Sequence, residues 1–187
     1  MHSRLRSLLV LLALVLAALP LSAQASHRKG FFIGFGFGGG GGTVDNDENV
    51  DGGMGWITLG GTVSPRLRLA ADFEGMVPKG DNSDFSLGTS TFAALYYPSV
   101  TSNFFLKGGI GAATVAYTGP GPNGNGTGFG GVFGAGFDMM VGKKVSITPQ
   151  LTFFGGSTGD IRDDDGTFVA NDVHFGMATL SIGVVFH

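Results

Sequence analysis

The sequence contains no cysteine, and charged residues make up only 13% of its 187 positions. Without cysteine, neither a disulfide framework nor a lipid-anchored cysteine is available. Beyond Ala25 no stretch approaches the 18 or so consecutive apolar residues of a spanning helix. Nor does any long stretch space its apolar residues three to four apart, as an amphipathic helix requires. What the chain has in abundance is glycine, 35 residues, and phenylalanine, 17. Average glycine usage is about 7%, so the excess is large. No strict three-residue period makes it a collagen, and aromatics are too frequent for a disordered tract. An all-β chain remains.

Its first residues read as an address. Arg4 and Arg6 precede an apolar run from Leu8 to Leu19, Pro20 ends that run, and Ala23-Gln24-Ala25 places small residues where a signal peptidase reads them. The run is shorter than the ~20 residues of a membrane span. Residues 1–25 are expected to be a cleaved secretory signal, and residues 26–187 one exported domain.

Lys144–Phe153 shows the organising pattern of the rest. Val145, Ile147, Pro149, Leu151 and Phe153 share one parity; Lys144, Ser146, Thr148, Gln150 and Thr152 share the other. Successive side chains of a strand point to opposite faces, so this segment has one apolar and one polar face. Turn residues bound eight expected strands, at about Gly30–Gly39, Gly53–Ser64, Arg66–Val77, Phe85–Tyr97, Asn103–Tyr117, Gly128–Gly142, Lys144–Gly155 and Val173–Phe186. Most repeat the alternation; the fourth does not sort into faces. Pro149 lacks a ladder donor, which predicts a bulge or a missing bond beside it. Connections alternate between short turns (Ser64–Arg66, Pro98–Ser102, Gly142–Lys144) and longer polar loops (Thr43–Gly52, Pro78–Asp84, Gly119–Gly126, Ser157–Asp172). Even strand number with short turns at one end and long loops at the other is the organisation of an outer-membrane barrel.

A soluble eight-stranded barrel would turn the apolar set inward and leave an exterior mostly of Gly, Ser and Thr. The membrane arrangement turns Phe, Leu, Ile and Val to lipid and encloses Arg68, Asp72, Glu74, Lys107, Asp138 and Gln150, where opposite charges can pair. An eight-stranded barrel is just wide enough for side chains to fill it, so these six are expected to form a lumen network, as a plug in preference to a pore. Acidic residues fall in the long connections (Asp45, Asp47, Glu48, Asp51, Asp81, Asp84, Asp160, Asp163, Asp164, Asp165, Asp172); basic ones (Arg28, Lys29, Arg66, Lys143, Lys144) lie beside the short turns and the start of the exported domain. The acidic rim is expected outside the cell and the basic rim in the periplasm. Tyr96, Tyr97, Phe104 and Phe186 read as an aromatic belt at one interface, and Trp56, Phe85, Phe129 and Phe175 at the other.

With its strand pattern, its loop asymmetry and the stretch Leu180–His187, the exported part resembles the small outer-membrane β-barrels of the outer-membrane-protein-A-like superfamily. The resemblance implies an antiparallel up-and-down barrel in the outer membrane, in contact with outer-membrane lipids and lipopolysaccharide. It also implies insertion by the barrel-assembly machinery, which reads a near-terminal phenylalanine; here that is Phe186, followed by His187.

Other motifs reduce to the same picture. Gly34-Phe-Gly36-Phe-Gly38-Gly39 spells GxGxxG, but no helix follows to receive a pyrophosphate, so neither dinucleotide nor other cofactor is expected. Asp45–Asp51 alternates oxygen ligands yet has Val50 where a calcium loop needs glycine and Trp56 where it needs glutamate. Solvated acidic loops, with weak divalent-cation binding as the lesser reading, are expected there and at Asp163–Gly166. His174 with Ser157 or Ser83 and Asp172 is the nearest approach to a nucleophile, base and orienting acid, without the accompanying motifs of a lipid-modifying enzyme. No catalytic residue, metal site or nucleic-acid partner is expected. The functional expectation is a non-enzymatic structural or surface-interaction role with a plugged lumen; a narrow passive pore is second and a lipid-modifying enzyme third.

Overall fold

The computed structural model describes residues 28–45, 48–79, 85–117, 124–163, 168–170 and 172–187. The expected signal segment, Ser83, and Asp47, Asp81, Asp84, Asp164 and Asp165 lie outside them. The elements are β1 (Phe31–Val44), β2 (Glu48–Ser64), β3 (Leu67–Pro78), β4 (Phe85–Tyr96), β5 (Phe104–Tyr117), β6 (Gly124–Phe137), β7 (Met139–Met140), β8 (Val145–Thr158), β9 (Ile161–Asp163), β10 (Phe168–Ala170) and β11 (His174–Phe186).

Antiparallel pairing runs from β1 through β2, β3, β4, β5 and β6 to β8 and β11, and β11 pairs back onto β1. The result is a closed eight-stranded barrel, which leaves those strands without an unpaired edge. β7 continues the line of β6, and the β9–β10 hairpin stands above β6 in the longest connection. Pairing between β6 and β8 lapses after Gly136–Gln150 and resumes at Met139–Ile147, opposite Pro149, while β11 continues across it at Ile182–Pro149. The imino acid thus interrupts one ladder, and Asp138 sits in the gap.

Strands run further into the long-loop end than the sequence reading placed them. β1 continues through Gly38–Gly42, paired with Ser181–Met177 on one side and Met54–Val50 on the other. The run of glycines carries no face signal, and Asp51 and Asn49 read as loop because they are polar. Both are exterior residues at the start of β2.

That extension reveals an inversion along the barrel axis. In the short-turn half the exterior is apolar: Phe31, Ile33, Phe35, Ile57, Leu59, Phe73, Phe92, Leu106, Leu151 and Ile182 are exposed. The interior there is mostly polar. In the long-loop half Met54, Met76, Phe85, Leu87, Val115, Phe154, Phe175 and Met177 are buried inside. Fully burying such side chains contributes roughly 1.5–3 kcal/mol each relative to exposure. The exterior of this half is thin and mostly polar or glycine (Gly41, Thr43, Asn49, Asp51, Ser86, Thr127, Ser157), interrupted by Val77, Tyr117 and Phe129. β4 crosses the inversion: Phe85, Leu87, Thr89, Thr91, Ala93 and Leu95 are buried while Ser86, Ser90, Phe92 and Tyr96 are exposed. Its outward face changes from serine to aromatic halfway, while its inward face is apolar at both ends with threonine between, which is why no single parity rule sorts it.

The aromatic belts need correction for the same reason. Tyr96, Phe104, Phe129 and Phe186 are exterior, but Trp56, Phe85, Tyr97 and Phe175 are buried in the lumen. The indole of Trp56 lies against β1 and β11 where Gly34, Gly36 and Gly183 leave room for it; a Cβ on Gly36 would come within 2.6 Å of its Nε1.

Candidate functional site in the barrel lumen

All six side chains assigned to the lumen from the sequence are buried there: Arg68, Asp72, Glu74, Lys107, Asp138 and Gln150. Parity explains this directly, since each shares its strand's inward set. They form two groups.

The deeper group is a triad. Lys107 Nζ lies 3.1 Å from Asp72 Oδ2 and 2.5 Å from Glu74 Oε1. Asp72 and Glu74 are adjacent inward positions of β3, so one lysine from β5 reaches both across β4. Thr58 from β2 donates its hydroxyl to Asp72 Oδ1.

The second group closes the short-turn end. Arg68 Nη2 lies 2.8 Å from His187 Nδ1. A guanidinium can only donate, so Nδ1 accepts and the neutral ring carries its proton on Nε2. That Nε2 lies 3.0 Å from Ser146 Oγ, and Ser146 Oγ lies 3.4 Å from Thr148 Oγ1. Thr148 donates to Asp138 Oδ1 at 2.9 Å, Tyr97 donates to Asp138 Oδ2 at 2.8 Å, and Arg68 Nη1 donates to the Tyr97 hydroxyl at 3.1 Å. Arg68, His187, Ser146, Thr148, Asp138 and Tyr97 therefore form a closed ring of hydrogen bonds, with Arg68 and Asp138 3.7 Å apart across it. Arg28 covers the ring, its guanidinium 3.6 Å above the Tyr97 ring centre and donating to the carbonyls of Pro65 and Ser102.

Among the described buried residues, Arg28, Arg68 and Lys107 balance Asp72, Glu74 and Asp138. Matched, hydrogen-bonded charges are what a buried site requires, because an isolated one is very costly. Burial, with the Arg68 charge beside it, pushes His187 down to about 4, which keeps the acceptor on Nδ1 at neutral pH.

The sequence reading does not include Tyr97, His187 or Thr58 in the network, and it places Ser146 and Thr148 only on the polar face of Lys144–Phe153. Parity signalled each of them: Tyr97 follows Leu95, and His187 follows Val185. Gln150 joins neither group, and its Nε2 has no protein partner.

At the long-loop rim His174 Nε2 lies 3.2 Å from Asp172 Oδ2, and Ser157 is the cross-strand neighbour of His174. The Ser157 hydroxyl instead donates to the Thr158 carbonyl at 3.3 Å, so the structure brings the acid and base together without the nucleophile bond. Among the described residues no cluster of three acidic or histidine side chains could hold a metal ion.

A polar, charge-balanced lumen inside a closed barrel with an apolar outer band agrees with the comparison to known families. Residues 10–186 match the Outer membrane protein beta-barrel domain. The chain belongs to this family. It is accordingly an outer-membrane protein, and the apolar exterior of the short-turn half is the surface that such a barrel turns to lipid. Neisserial surface protein A has the same fold, with 17% identity over 83% of this chain and 96% of that one and a TM-score of 0.60. So does Ail, the attachment invasion locus protein of Yersinia pestis, with 15% identity over 84% and 99% and a TM-score of 0.51. No curated protein matches the chain significantly in sequence.

Proposed function

We propose that this outer-membrane barrel is non-conducting and non-enzymatic, and serves as a structural or surface-interaction protein whose lumen is sealed from both ends. The observation that carries this reading is the closed ring of Arg68, His187, Ser146, Thr148, Asp138 and Tyr97. Ion passage would have to break it, then separate Lys107 from two carboxylates, then displace the apolar side chains of the long-loop half. With the short turns in the periplasm, the long-loop rim faces outward. Asp45, Asp51, Asp160 and Asp172 then contribute to an acidic surface for partners and for cations bridging lipopolysaccharide phosphates. At the opposite rim Lys29, Lys143 and Lys144 are exposed.

Planar-bilayer recording of the purified protein tests the seal. The expected record is flat for the natural chain, with unit conductance emerging only when the triad and the ring are removed together. Reproducible unit conductance from the natural chain, altered by Lys107→Ala, would instead make it a narrow pore. Comparison of lipid A by mass spectrometry, with and without the protein, is expected to show no difference.

A further inference from the structure

Between the ring and the triad the lumen encloses a small cavity, about 20 Å³ in the volume open to the centre of a water-sized sphere. Phe32, Phe105 and Val185 form part of its apolar wall, and Trp56, Arg68 and Gln150 part of its polar wall. These three come from β2, β3 and β8, and each brings a buried donor with no protein partner: Trp56 Nε1, Arg68 Nε and Gln150 Nε2. The other nitrogens of Arg68 are engaged by Tyr97 and His187. Asp138 and Lys107 also border the cavity, but their polar atoms are engaged in the ring and the triad.

The unpaired atoms of this wall are therefore all donors. Glu74 Oε2 and Asn103 Oδ1, which are buried acceptors without partners, do not line it. Buried donors without acceptors are rare in folded proteins because each carries an unrecovered desolvation cost. A cavity of roughly 10–15 Å³ by this measure is enough for one water.

We propose that this cavity is a binding site for one small hydrogen-bond acceptor, a water molecule or a halide ion, held by Trp56 Nε1, Arg68 Nε and Gln150 Nε2. The site is built: three glycines fix the indole against the wall, and the ring fixes the guanidinium. Its occupant joins three strands across the lumen, independently of whether the barrel conducts.

Trp56 is the sole tryptophan of the chain, so its indole N–H gives one resolved signal in a nitrogen-15 spectrum of the barrel in detergent micelles. If water is the occupant, that proton shows magnetisation transfer to long-lived bound water, unchanged when chloride is replaced by bromide. If a halide is the occupant, the signal shifts on that replacement and saturates with halide concentration. In Gln150→Leu, checked for folding by heat-modifiable gel mobility, either response is expected to weaken severalfold. A natural chain showing neither water transfer nor halide dependence overturns the proposal, and this measurement needs no variant to fold.

Discussion

The two halves of this barrel solve the same packing problem in opposite ways. The short-turn half is mostly polar inside and apolar outside; the long-loop half is mostly apolar inside and mostly polar or glycine outside. A strand such as β4 keeps its alternation throughout, and only the residue types on each face change along it. Parity therefore states which side chains share a face, while the surrounding medium decides which face is apolar. A lumen held by paired charges is specific and brittle, since loss of one partner strands the other. A lumen held by Met54, Met76, Leu87 and Phe154 tolerates adjustment, at the cost of whatever volume is removed.

The largest expected effect tests the brittle half. Asp138→Leu leaves Arg68 buried without its carboxylate and is expected to cost about 3–5 kcal/mol, read as a lowered urea midpoint for unfolding from lipid vesicles. An unchanged midpoint would show that the ring does not hold the short-turn end. Met76→Ala, in the other half, removes packing only and should cost about 2–5 kcal/mol without changing the dependence of stability on salt. Exterior charges probe the inversion itself. Leu151→Arg is expected to cost about 2–4 kcal/mol by the same assay, and Ser86→Arg only about 0–1 kcal/mol, because the first lies within the apolar band and the second beyond it. Equal penalties would erase the distinction between the halves.

The smallest effect is a pH dependence. His187 is held neutral, with its folded value about 4 against an ordinary 6.5. Below pH 6.5 the unfolded chain takes up a proton that the folded chain refuses, so this contribution is whole above 6.5 and is lost as pH falls toward 4. The urea midpoint of the natural chain is expected to fall more steeply across that window than that of His187→Gln. Parallel curves would remove His187 from the pH response.

The closed barrel and its strand number were legible in the sequence, because Lys144–Phe153 and its companions alternate so regularly. Trp56, Phe85, Tyr97 and Phe175 lie inside the barrel, although their aromatic character suits a lipid interface. Their parity with Met54, Leu87, Leu95 and Met177 puts them inside. Gly40–Gly42, at the far end of β1, could not announce a continuing strand, having no side chain to sort. Hydrogen-bond closure between Arg68 and His187 was invisible for a different reason: it joins residues 119 positions apart, and only the assembled barrel sets their distance.

That separation bears on the order of folding. His187 reaches the ring only when β11 has zipped onto both β8 and β1, the pairing that makes a curved sheet into a cylinder. Hairpin contacts close short loops and form early; this one closes nearly the longest loop in the chain and bears the entropy of doing so. Completion of the ring thus reports that the cylinder is shut. An intermediate with β1 and β11 still apart would carry Arg68 and Asp138 without their full set of partners, and such an opened barrel is correspondingly disfavoured once the seam has joined.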